Sequence, residues 1–219
     1  YRFVVANSRG HIGRDHMQGR LYESEERDII RRAFLPGATF VDVGANVGNH
    51  VIWAARVLDT SGAIAFEPTL GPHSILCLNV ALNGLDDRVE VRKIALSEEE
   101  GTTTIENSLV YSENWGHSTV GDGYRGELVV KSTGDAQLAD IDRLFLKIDV
   151  EGHELPTLRG LSRTIAGKRP RLFIEILDAE EPAFRDWCAA SSYVVRERFS
   201  RYPTITNYLV THESDPPTP

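Results

Sequence analysis

The chain is poor in cysteine: Cys77 and Cys188 stand alone, far apart and without metal-ligand spacing. That pattern excludes a disulfide scaffold and fits a reducing, cytoplasmic setting. No apolar run approaches the roughly 20 residues that a membrane-spanning helix needs, so no span is expected. No internal repeat is visible, which argues against a solenoid. Positive charge is short as well. Lys and Arg number 24 against 32 Asp and Glu, a net charge of −8, and the basic clusters (Arg31-Arg32, Lys168-Arg169, Arg196 with Arg198) are brief. Holding a phosphate backbone takes the opposite balance, so nucleic acid is not an expected partner. What remains is 219 residues, 41% hydrophobic and 26% charged. It suits one domain over 1–212, with a polar, Pro-rich tail at 213–219 expected to be disordered. The chain opens on Tyr1 rather than methionine, which is compatible with a targeting segment upstream. Oligomeric state is not legible.

Against these absences stands one dense stretch, Phe40-Val41-Asp42-Val43-Gly44-Ala45-Asn46-Val47-Gly48-Asn49-His50. An apolar, β-branched run stops on small residues, and a helical pattern follows through Val51, Ile52, Ala54, Ala55 and Leu58: strand, tight turn, helix. Asn46 sits where a third glycine would sit, and Asn is among the few side chains that tolerate left-handed backbone. The loop lacks the Gly-x-Gly-x-x-Gly spacing of a dinucleotide site and the Gly-Lys-Ser/Thr of a P-loop. An acidic residue just ahead of the first glycine suits a ligand that is not rich in phosphate. S-adenosylmethionine, with an ammonium, a sulfonium, a carboxylate and a ribose diol, is such a ligand.

Around that loop the chain alternates strands and helices through 40–176, the pattern of a parallel sheet covered on both faces. A short strand at Phe3–Ala6 and a loop precede an amphipathic helix at Glu23–Phe34. Residues 1–20 form a substrate or cap segment in which His11 and His16 are candidate ligands or substrate contacts. Ala63–Phe66 is a second strand ending on Glu67, a position from which a carboxylate can accept both ribose hydroxyls. His73–Asn83 is helical. Val89–Val91 and Ile94–Leu96 frame the third strand, and 97–135 is an inserted loop or β-arm. Within it, residues 105–125 are expected to form a mobile cover, with Trp115 either stacking on a ligand or anchoring the loop. The fourth strand, Leu144–Asp149, runs into Asp149, Glu151, His153 and Glu154, the densest set of titratable groups in the chain. Ligands of such sheets sit outside the carboxyl ends of the strands. A fifth strand covers Leu172–Ile176, a helix Ala183–Ala190, and a closing pair of strands Tyr193–Arg196 and Ile205–Thr211, one of them antiparallel.

Taken together, FVDVGANVGNHV (40–51), AFEP (65–68), LNVALNGL (78–85), ALS (95–97), LKIDVEGHE (146–154) and RPRLFIEI (169–176) resemble the FkbM family of S-adenosylmethionine-dependent methyltransferases, over roughly residues 20–195. The resemblance implies a Rossmann-like class I methyltransferase fold, α/β, with a mostly parallel seven-stranded sheet and an antiparallel closing strand. It implies that Asp42, Gly44, Asn46 and Gly48 face the methionine part of the cofactor. Glu67 would take the ribose, Ala95 the adenine, and Tyr22 would join the cofactor pocket. Asp149 would face sulfonium and substrate, with Glu151 and His153 on the rim. The implied reaction is O-methylation of a hydroxyl on a natural product, sugar or lipid. Residues 1–20 and 116–136, where substrate choice is expected, match nothing in the pattern.

Methyl transfer from a sulfonium is an in-line displacement, so holding the acceptor in line is the main requirement. A base helps an alcohol acceptor. His153 is favoured narrowly over Asp149, with a pKa raised if Glu151 or Glu154 pairs with it. A divalent cation on Asp149, Glu151, His153 and Glu175 is not expected, because neighbours on one turn rarely converge. N-methylation and a non-catalytic cofactor-binding module are the alternatives.

Overall fold

A computed structural model describes residues 1–5, 10–107, 118–121 and 126–216, with the backbone alone at 106, 107 and 118–121. The expected cover at 105–125, Trp115 included, falls largely outside the described residues.

The first 20 residues depart from the expected strand and loop. Helix α1 (His11–Met17) forms instead. The backbone N–H groups of Arg2 and Val4 donate to the side chains of Asn83 and Asn79 rather than to a neighbouring strand. The Phe3 ring stacks on His16, 3.8 Å between centroids. Helix α2 (Ser24–Ala33) buries Ile29, Ile30 and Ala33 and is tied by Glu26 to Arg201, 175 residues on.

Then come β1 (Thr39–Val43), α3 (Asn49–Val57), β2 (Gly62–Phe66), α4 (Leu70–Leu82) and β3 (Val89–Arg92). The next strand pieces leave the main sheet. β4 (Ala95–Leu96), β5 (Gly101–Asn107), β6 (Ser118–Gly121) and β7 (Glu127–Ser132) make a second sheet in the order β4-β7-β5-β6. Ala95–Leu96, expected at the carboxyl end of the third strand, forms a separate piece that pairs with β7. After α5 (Gly134–Gln137) the main sheet resumes with β8 (Leu144–Ile148). α6 (Glu154–Gly160), α7 (Ser162–Lys168), β9 (Arg171–Leu177), α8 (Glu181–Ala190), β10 (Tyr193–Tyr202) and β11 (Ile205–His212) follow.

The main sheet runs β10-β11-β9-β8-β1-β2-β3. All neighbours are parallel except β11, antiparallel to both β9 and β10. The antiparallel strand is thus one place in from the edge: α8 carries the chain out to β10, and a hairpin folds β11 back into the gap. Alternation on each strand feeds two apolar layers. Phe40, Phe145 and Phe173 pack on the face of α2 and α3. Val41, Leu146, Ile148, Leu172 and Ile174 pack on the other, with α6 and α8. Close approach of α6 depends on Gly160, where a Cβ would stand 1.9 Å from the Ser97 carbonyl oxygen. Within the stretch 213–219, Glu213 N–H donates to Ser192 O and Asp215 lies 3.5 Å from Arg171; 217–219 lie outside the described residues. Among the described residues no helix is long and apolar enough to cross a membrane.

Candidate active site

The carboxyl ends of β1, β2 and β8 open on a cavity of about 540 Å³. Its floor is the loop between β1 and α3. Gly44, Asn46 and Gly48 all have positive φ, at 84°, 49° and 95°, a backbone region that favours glycine and, next, asparagine. Gly44 is required by contact as well as conformation. A Cβ there would lie 1.8 Å from the Asp149 carbonyl oxygen, so only glycine lets the loop rest on the end of β8. The loop is pinned from β2. Asn46 N–H donates to Glu67 Oε2 (3.0 Å), and Thr69 N–H donates to Oε1 (2.9 Å). Burial pushes the Glu67 carboxyl above its ordinary range, against the pull of these donors. Oε1 also accepts from the Thr69 hydroxyl; each carboxylate oxygen has two lone pairs, so Glu67 keeps room for one further donor, at Oε2, toward the cavity it lines.

Beside the loop lies a buried charged centre. Asp42 on β1 and Lys147 on β8 are register partners on the same sheet face. Lys147 Nζ is 3.5 Å from Asp42 Oδ1 and 3.1 Å from Asp149 Oδ2. Burial works to lower the Lys147 pKa, yet Asp149, Asp42 and Glu23 hold it raised. Asp42, 1% exposed, has a raised pKa from burial, opposed by Lys147. It sits beneath the cavity wall rather than on it, as does Gly48. The other expected residues, Tyr22, Gly44, Asn46, Glu67, Ala95, Asp149, Glu151 and His153, all line the cavity.

The rim is a tight turn, with Glu151 at φ 52° and Gly152 at φ 89°. Glu154 folds back, its Oε1 accepting from the N–H groups of Val150 (3.0 Å) and Gly152 (3.2 Å). It supports the turn and leaves His153 to another partner: His153 Nε2 lies 3.1 Å from Ser97 Oγ. The upward shift that pairing with Glu151 or Glu154 would give His153 does not occur. Burial holds its pKa below 6.5, with Glu98 opposing.

Carboxyls crowd this end of the cavity. Burial, reinforced by neighbouring negative charge, raises Glu23 and Glu151 to about 8, Glu154 to about 7 and Glu175 to about 10. An ordinary glutamate titrates near 4.5, so the fold binds more protons than the unfolded chain above that pH. Stability is present while these groups keep their protons and is lost as pH rises through their folded values. The melting temperature of the cofactor-free protein is expected to fall from pH 7 to 10. A flat profile in differential scanning calorimetry over that range would show that the cluster is already ionised. Among the described residues, no three His, Cys, Asp or Glu side chains converge as a metal site.

A family profile described as "Methyltransferase FkbM domain" matches residues 42–196. The chain belongs to the FkbM methyltransferase family. As a member it uses S-adenosylmethionine. Two curated relatives are similar to it. Methyltransferase sdnD of Sordaria araneosa is 28% identical over 59% of this chain and 62% of its own length. Hexuronic acid methyltransferase AglP of Haloferax volcanii is 26% identical over 66% of this chain and 54% of its own. The chain thus spans less than two thirds of either relative. A solved structure of an FkbM methyltransferase from Methylobacillus flagellatus superposes with a TM-score of 0.57 at 17% identity, over 78% of this chain and 43% of that one; at that identity the likeness concerns the fold.

Within this FkbM fold, several cavity residues had no assignment from the sequence. Lys147 had a visible signal, one charge inside the apolar run Leu144–Ile148. Glu23, Asn49, His50 and the turn Tyr202–Ile205 had none. Asn49 joins the start of α3 to the start of α2: its Nδ2 donates to Tyr22 O (2.8 Å), and its Oδ1 accepts from Tyr22 N–H (3.0 Å). Tyr22 Oη meets Tyr202 Oη at 2.5 Å. Both N-terminal histidines, His11 and His16, line the cavity, and His16 also reaches Asn49 Oδ1 at 3.2 Å.

Proposed function

We propose that the chain transfers a methyl group from S-adenosylmethionine to a hydroxyl of a small molecule. The observation that carries the reading is the pairing of roles at the end of β8. Asp149 is engaged by a buried ammonium, while His153, four residues on, is held neutral beside Ser97 at the cavity rim. An engaged carboxylate can orient an acceptor and balance positive charge, and a neutral imidazole can take a proton. The residues fit the cofactor. Glu67 has spare acceptor capacity at Oε2 for one hydroxyl of a diol. The apolar surfaces of Ile94, Leu96 and Ile105 beside Ala95 suit a flat ring. The carboxyls around Lys147 suit a sulfonium and an ammonium. When bound, the cofactor supplies an electrophilic methyl group on sulfur. The chain's own part is to hold the acceptor oxygen in line, exclude bulk water and receive the hydroxyl proton at His153.

The name of one relative, a hexuronic acid methyltransferase, supports a small-molecule acceptor; the free thiols Cys77 and Cys188 support a reducing compartment. The test is incubation with methyl-labelled cofactor and pooled sugars, lipids, natural-product alcohols and amines, read by mass spectrometry. Label on a hydroxyl oxygen is the expected result. Label on nitrogen would replace the reading with N-methylation. Cofactor binding with no transfer to any pool would leave a binding module.

A further inference from the structure

We propose that Glu23 and His50 form a seat for the primary ammonium group of the cofactor, and that Glu23 releases a proton to solvent when the seat is filled. The proposal rests on the cofactor reading above. His50 opens the first turn of α3, two residues past Gly48, and is 4% exposed. His50 lines the same cavity, and its Nε2 is buried with no hydrogen-bond partner. A buried polar nitrogen left unpaired costs free energy unless something fills the position. Facing it is Glu23 Oε2, 3.6 Å away, beyond hydrogen-bond range. Glu23 holds left-handed backbone, φ 63°, immediately before α2, a conformation that costs a glutamate free energy. The Asn49 clamp on Tyr22 fixes that position against α3. Two acceptors held apart on opposite elements, at the glycine-loop end of the cavity, match a group with several N–H donors and a positive charge.

The charges around Glu23 favour a cation over an anion. From β8, Asp149 opposes its ionisation and Lys147 favours it; from α2, Glu26 opposes, and from β10, Arg201 favours. Burial outweighs them all and keeps the carboxyl protonated near neutral pH, with a pKa of about 8. Arg27 of α2 and Tyr22 also feel its charge, as do Glu151 in the β8–α6 turn and Glu175 on β9. Neither arginine is free to act as the cation: Arg201 is bound to Glu25 and Glu26, and Arg27 donates to Tyr22 O. Lys147 is committed to Asp42 and Asp149. His50 is held neutral by burial, then by Lys147 and Arg27, so with its hydrogen on Nδ1 it accepts at Nε2. A cofactor carboxylate placed here would face Glu23, Asp149 and a neutral ring. An ammonium finds two acceptors and keeps its own three protons. The proton that leaves is the one on the Glu23 carboxyl.

The test is titration calorimetry near neutral pH, in buffers of low and high ionisation enthalpy, with two probes. S-adenosylhomocysteine carries the ammonium; methylthioadenosine shares the nucleoside and thioether and lacks the amino acid. Wild-type protein is expected to release about one proton per S-adenosylhomocysteine bound, and affinity to rise roughly tenfold per pH unit below the Glu23 pKa. Methylthioadenosine should bind with no proton release. Glu23→Gln should abolish the release, weaken S-adenosylhomocysteine about tenfold and leave methylthioadenosine unchanged. The two-probe comparison on wild-type protein decides the matter should that variant not fold. S-adenosylhomocysteine binding with no proton exchange, with proton uptake, or with the same release as methylthioadenosine would overturn the seat while leaving the methyltransferase reading standing. Failure of both probes to bind would overturn the cofactor reading and the seat with it.

Discussion

Replacing His153 with alanine is expected to lower turnover by ~10²–10⁴-fold, the usual cost of losing a general base, with cofactor affinity nearly intact. The separation of the two effects follows from position. His153 stands at the rim, between the β8 turn and α6, and its Nε2 contacts Ser97, whereas the cofactor loop is held by Glu67 and Gly44. The pH profile carries the diagnostic. Burial holds His153 below 6.5, so the imidazole is neutral and ready to accept a proton throughout the neutral range. The wild-type rate should be level there and fall only on the acid side, as the ring charges. His153→Ala should remove that acid limb along with the rate. A variant with full turnover and an unaltered profile would make His153 a residue that merely joins α6 to Ser97. The base would then be Asp149 or no residue at all.

The second large effect concerns stability. Lys147→Met should cost about 3–5 kcal/mol of unfolding free energy in urea titration, the range for removing one partner of a buried ion pair. Lys147 is 5% exposed and Asp42 1%, and no other cation among the described residues lies within 4.0 Å of Asp42, the ion-pair range in which Lys147 falls. Without the lysine, Asp42 is a buried carboxylate with no compensating charge, and its pKa, already raised by burial, rises further. A carboxyl that titrates higher in the fold than in the unfolded chain contributes stability while protonated and loses it as pH rises. The deficit of Lys147→Met should therefore shrink on acidification, upward from the ordinary aspartate value of 3.8 being the range where it opens. Adding Asp42→Asn should recover part of it at neutral pH. A loss below about 1 kcal/mol, the scale of a solvent-exposed pair, would mean that water reaches the centre.

Much of the site was written locally. The apolar run into Gly44, the asparagine in a left-handed position at 46 and Glu67 at the end of β2 are features of consecutive residues. Turn chemistry and strand periodicity act over short distances, so they can be read in order. The same holds for the clustering at Asp149–Glu154. Even there, the partners of these side chains are not legible from the order of residues. Glu154, three residues from Glu151, turns to the backbone of Val150 and Gly152. His153 finds Ser97, 56 residues away, and burial in the assembled rim lowers its pKa.

By itself, the sequence determined the alternating α/β order, the glycine loop, the identity of the carboxyls at the strand ends and the family. Each of these lies in the spacing of near neighbours. Only the tertiary structure decided which charges meet. Asp42 and Lys147 are partners because β1 and β8 are adjacent in a sheet whose order is not the order of the chain. Tyr22 reaches Tyr202 because the β10–β11 hairpin folds back over the cavity, 180 residues on. Glu23 faces His50 because Asn49 clamps α2 to α3. The helix at 11–17 buries none of its residues, so no apolar stripe announces it, and Phe3 packs on it from outside its own span. Burial, and with it the protonation of every carboxyl in the cluster, is a property of the assembled layers and of no segment alone.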